Sequence, residues 1–123
     1  MNFTTIVAVG TALYFFGFGA GFLARPELAD RLGLRWTNPA GRTEIRCYYG
    51  AVSWALGGYL IYLVTQDEAA YAVTAALFLA SAVFVTRVIG TVIDGASGEA
   101  YTRLAIPTEA AFVAVLAAAR LLA

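Results

Sequence analysis

Six residues of this chain have the type and spacing to do chemistry: Glu44, Arg46, Tyr49, Arg87, Asp94 and Glu109. The first three open a strongly apolar stretch, and from Ala51 to Thr65 no further charge follows. A charged side chain at the centre of a membrane helix costs about 2.5–3.5 kcal/mol on insertion scales, so it needs a partner or a purpose. Arg87, Gly90 and Asp94 stand at i, i+3 and i+7, which places them on one helical face. Arg46, Tyr49, Gly50 and Ser53 do the same in an earlier segment, and Glu109, Phe112, Val113 and Leu116 in a later one.

Such a set suits acid/base work. A carboxyl group in apolar surroundings keeps its proton to higher pH, which makes Glu109 a candidate donor. Asp94, expected beside Arg87, would stay ionised and accept a proton, and two carboxyl groups driven apart in this way form an acid/base pair. A hydroxyl from Tyr48 or Tyr49 would steady charge on a substrate oxygen. Isomerisation, cyclisation or epoxide opening of a lipid or isoprenoid-like molecule fits this inventory. The plainer alternative is a lock, for example Arg46 with Glu109 and Arg87 with Asp94, in which breaking one partner costs about 3–5 kcal/mol. Glu44 has a plain role too, at the positive end of its helix among lipid headgroups.

Composition says where these residues must sit. Of 123 residues, 61% are hydrophobic and only 13% charged. A soluble domain carries about a quarter charged residues. The deficit implies burial in lipid, and the length allows a single domain over 1–123. The lack of histidine excludes a Ser-His or Cys-His nucleophile and argues against a conventional zinc or non-haem iron site; a carboxylate-only magnesium site stays open, but nothing marks one. No cofactor is indicated. Net charge is zero with no lysine, which argues against a nucleic-acid partner. Cys47 stands alone and reads as a small packing residue.

The elements follow from hydropathy and punctuation. The spacing predicts an all-α fold, a bundle of four transmembrane helices with a short interfacial helix between the first two. The first span covers Phe3 to Ala24, enough to cross a hydrocarbon core of about 30 Å. Gly10, Gly17, Gly19 and Gly21 thin one side of it for close packing. Its start lacks the basic region and cleavage site of a secretory signal, so it reads as a mature span. Pro26 to Leu32 suits the short helix, ended by Gly33, with Leu28, Leu32 and Trp36 at headgroup level. Asn38-Pro39 reads as a cap and first position, with the second span running to Val64. The third is expected from Ala69 to Ile93 and the fourth from Thr102 to Ala123, with Pro107 kinking it or marking its transmembrane start.

Arg25, Arg31, Arg35, Arg42 and Arg46 lie around the first connection, whereas the opposite side offers only Arg120. The positive-inside rule therefore puts residues 25–44 and 95–102 in the cytoplasm and both termini outside, in a bacterial cytoplasmic membrane. That topology brings Arg46, Arg87, Asp94 and Glu109 to one end of the bundle.

Glu44-Ile45-Arg46-x-x-Tyr49-Gly50, Arg87-x-x-Gly90-x-x-x-Asp94-Gly95 and Glu109 together resemble a bacterial family of small four-helix membrane proteins catalogued as a domain of unknown function. The resemblance spans nearly the whole chain and departs at Ala51, where the family often has a second glycine. It implies a four-helix bundle with the same polar cluster and no established activity. Pro107-Thr108-Glu109-Ala110-Ala111-Phe112 is also similar to a stretch of small membrane lycopene cyclases, without the second acidic residue found there. Three function classes stand: a protein that binds or transforms a membrane lipid or hydrophobic small molecule; a subunit of a larger membrane complex; and a small proton-coupled transporter. The last would need a homo-oligomer, and its uncharged first helix speaks against it.

Overall fold

The computed structural model describes all residues from Met1 to Ala123 and contains helices and turns only. Helix α1 (Phe3–Ala24) begins where the Asn2 side chain accepts a hydrogen bond from the Thr5 N–H at 2.8 Å. That bond satisfies one of the donors a helix start leaves open. The expected interfacial helix is present as a 3₁₀ segment, Pro26–Leu32, with proline at its start. Gly33 ends it at φ 77°, a conformation that glycine adopts without a Cβ clash.

Asn38 caps the next helix by accepting from the Gly41 N–H at 3.0 Å, and Pro39 takes the first helical position. Helix α2 then runs over Pro39–Thr65. It is not uniform: Arg46–Ala51 forms a π segment, in which the Val52 N–H bonds the Cys47 carbonyl five residues back. The α2–α3 turn passes through Asp67 at φ 60°, a region that aspartate tolerates better than most residues. Helix α3 (Ala69–Asp94) stops at Gly95, φ 65°. Helix α4 (Ala100–Leu121) starts earlier than expected and passes through Pro107 without a break in its helical span. All four are long and apolar enough to cross a membrane.

Packing is tightest between α1 and α2, and small residues make it so. A Cβ on Gly19 would stand 2.6 Å from the Gly50 carbonyl oxygen and 2.9 Å from the Trp54 nitrogen. A Cβ on Gly57 would lie 2.9 Å from the Ala12 carbonyl oxygen. Two backbones meet here with nothing between them, the arrangement that favours association where lipid is as apolar as any side chain. Gly10 and Gly17, expected on the same packing side, differ: a Cβ on either would have nothing within 4 Å.

The core is divided. Ala8, Ala12, Leu60, Ala72, Val73, Ala76, Leu116 and Ala119 gather all four helices toward the end that carries both chain termini. There the Thr4 hydroxyl donates to the Ala119 carbonyl at 2.9 Å and joins α1 to α4. At the opposite end, the loop end, Phe22, Ala29 and Ile45 form a smaller cluster with Leu28, Leu32, Trp36 and Tyr49 packed against it. It draws on α1, the 3₁₀ segment and α2 alone. The loop-end halves of α3 and α4 contribute nothing to either cluster, and that difference shapes the site.

Candidate functional site

The hairpin of α3 and α4 explains which charges meet. Arg87 lies seven residues before the end of α3, and Glu109 lies nine after the start of α4. At 1.5 Å per residue these are depths of about 10 and 13 Å from the connection, so the two face each other across the hairpin. The Arg87 Nε donates to both Glu109 oxygens, at 2.7 and 2.8 Å. The side chains are 27% and 22% exposed, shielded enough for the pair to matter and open enough to be reached. The Arg87 guanidinium also lies 5.3 Å from the centre of the Tyr101 ring, within cation–π range.

This differs from the expected pairing of Arg87 with Asp94. Residues seven apart share a face, yet they are separated by about 10 Å of helix rise, too far for a direct ion pair. Asp94 is exposed and makes no ion pair. It borders the same cleft as Arg87, beside Gly90, whose Cβ position is 3.8 Å from Asp94 Oδ2.

Arg46 is not paired with Glu109. Its Nη1 donates to the Leu23 carbonyl, at the last turn of α1, where a cation offsets the negative end of the helix dipole. Tyr49 is the inward tyrosine, with its ring 5.4 Å from that of Phe22, while Tyr48 is exposed. Glu44 is exposed at the start of α2 and forms no ion pair. The six expected residues thus fall into two groups. Arg87 and Asp94 border a cleft at the loop end, with Glu109 joined to it through Arg87; Arg46, Tyr49 and Glu44 belong to the α1–α2 side.

Two cavities flank the ion pair. A cleft of about 650 Å³ at the loop end is bounded by the 3₁₀ segment at Asp30 and Arg31, by α3 at Arg87 and Asp94, and by α4 at Tyr101 and Thr102. A second space of about 420 Å³ is a groove between α1 and α4. Val7, Gly10, Thr11 and Tyr14 form one side of it, and Thr108, Glu109, Phe112 and Val115 the other. Arg87 borders the first and Glu109 the second. Tyr14 spans the groove toward Phe112, with ring centres 6.1 Å apart. Tyr101 and Gly10 had no signal in the sequence. Both belong to the site only because of what α3 places opposite Tyr101 and α4 opposite Gly10.

The first connection is tied down by its own charges. Arg42 Nη2 donates to Glu27 Oε1, and the Arg42 guanidinium stands over the Trp36 ring at 5.6 Å. A backbone N–H bond and then the neighbouring Arg42 hold the Glu27 carboxyl below its ordinary titration range, against the opposing effect of burial. Arg35 donates to Asp30 at 2.7 Å. These contacts hold the 3₁₀ segment over the cleft.

No curated protein and no solved structure matches the chain. The family model described as "Domain of unknown function (DUF4345)" matches residues 3–121, with the ion pair, the cleft and the groove inside that span, and the chain belongs to this family.

Proposed function

We propose that the protein binds a hydrophobic small molecule or lipid at the loop end, its apolar chain in the α1–α4 groove and its polar end at Arg87 and Glu109. One observation carries this reading: the partners of a single ion pair border different spaces, a polar cleft and an apolar groove. An amphipathic ligand has the same division. The volumes are those of small-molecule sites, about 300–1,000 Å³. In this reading the loop end faces the cytoplasm and the termini lie outside, as the arginine-rich first connection supports.

If the bound molecule is also transformed, the proton acceptor is Asp94. It borders the cleft and has no ion-pair partner, whereas both Glu109 oxygens are taken by Arg87. In isomerisation and epoxide opening a base of this kind works with a group that polarises oxygen, and Arg87, on the same cleft, is that group.

The test compares purified wild type with Glu109→Gln and Arg87→Met in mild detergent, by thermal stability and by mass spectrometry of co-purifying lipids. A specific lipid retained by wild type and lost from folded mutants supports the site. Wild type carrying only bulk lipid, with both mutants unfolded, would make the pair a structural lock and end the proposal.

A further inference from the structure

We infer that the ligand is electrically neutral: one long apolar chain ending in an uncharged carbonyl or hydroxyl oxygen. The inference rests on the binding site proposed above and adds the chemistry of its occupant.

Hydrogen-bond capacity points first to oxygen. Only the Nε of Arg87 is engaged within the chain; neither terminal nitrogen has an acceptor. A guanidinium has donors and no acceptor, so those nitrogens call for an acceptor atom on the ligand. Thr102 is buried at the same cleft and Tyr101 lies beside Arg87, so uncharged polar groups stand next to those free donors.

Charge balance then argues against an anionic head. Glu109 already offsets Arg87, and Arg35 offsets Asp30. What remains around the cleft is Arg31 against Asp94 and Glu99, an excess of one negative charge. An anionic head would add a charge of the same sign as that excess. A cationic head would answer that excess but carries no acceptor, and would leave the free Arg87 donors unsatisfied. In a membrane, where an uncompensated charge is costly, a neutral acceptor fits both conditions.

The groove fixes the other end of the molecule. Val7, Phe112 and Val115 line it, and Gly10 keeps its edge open, with nothing within 4 Å of its Cβ position. Its rim residues Gly10, Tyr14 and Val115 are exposed on the helix surface, so the chain enters sideways from the bilayer.

Hexadecanol, palmitate and hexadecylamine have the same chain length and differ in head charge. Each would be added at equal concentration to the delipidated full chain in detergent micelles at pH 7.5 and counted by native mass spectrometry. Hexadecanol is expected to bind one to one, at least tenfold more tightly than either ion. Arg87→Lys, which keeps the charge and removes the second terminal donor, should weaken it about tenfold. Gly10→Trp, which fills the groove, should abolish it, and Val115→Trp fills the same space from α4 should the first variant misfold. Preferred binding of palmitate or hexadecylamine that a folded groove-filling variant abolishes would overturn the neutral head and leave the site standing. If no probe binds, or binding ignores the filled groove, both the neutral ligand and the proposed site fall.

Discussion

Arg87 and Glu109 stand at matching depth on either side of the α3–α4 connection, with one arginine nitrogen 2.7 and 2.8 Å from the two carboxylate oxygens. This pair is the charged contact between the loop-end halves of α3 and α4, which neither apolar cluster reaches. Glu109→Gln and Arg87→Met should each lower stability by about 1–3 kcal/mol, below the figure for a fully buried pair because both groups are partly exposed. The double mutant should lose less than the sum of the two. Unfolding in mixed detergent micelles, read as a double-mutant cycle, measures the coupling.

Two glycines of α1 should answer oppositely to the same change. Gly19→Leu drives a side chain into the Gly50 carbonyl and the Trp54 nitrogen, and should cost about 1–3 kcal/mol or more. Gly10→Leu meets nothing and should stay within about 0.5 kcal/mol of wild type. Thermal melting in detergent separates them.

Arg46→Met removes the donor to the Leu23 carbonyl and should cost about 1.5 kcal/mol, at the low end for a charged hydrogen bond because the site is partly open. The loss should appear as faster amide exchange in the last turn of α1. Exchange around Arg87 and Glu109 should not change, since Arg46 makes no contact with that pair.

Acid should loosen the first connection later than an ordinary glutamate would allow. The Glu27 carboxyl titrates below its usual range, so its tie to Arg42 is present at neutral pH and is lost only as the pH falls through that lowered value. In a Trp54→Phe background, Trp36 fluorescence should hold steady down through about pH 4.3, the ordinary glutamate value, and change below it. Glu27→Gln should remove the transition.

Much of this was legible in the residues. Four spans, the interfacial segment and the caps at Asn38 and Gly33 came from hydropathy and from the conformations that asparagine, proline and glycine favour. Arg87, Asp94 and Glu109 were readable as one end of the bundle from topology alone. The pairing was not, because sharing a helical face says nothing of axial distance; matching depth across a short hairpin was the signal, and it selects Glu109. Arg46 lies at that end too, and only its partner went unread. Its partner is a backbone carbonyl at the end of α1, which no side-chain pattern announces. The groove was equally silent, since Gly10 and Gly19 look alike in sequence and differ only in what stands opposite.

The π segment at Arg46–Ala51 has a consequence that can be put in terms of the gene. A π turn holds one residue more than an α-helix needs for the same height. Deleting the codon for Ala51 would therefore let α2 close into a regular helix with Arg46 still on the Leu23 carbonyl and Gly57 still seated on α1, because the residue removed is the one in excess. Deleting a codon from the regular turns that follow would instead rotate the two halves of α2 against each other by about 100°, the angle of one helical step. Arg46–Ala51 is thus the stretch of α2 that can lose a codon without changing the phase between the half that anchors the bundle and the half that carries Arg46 and Tyr49.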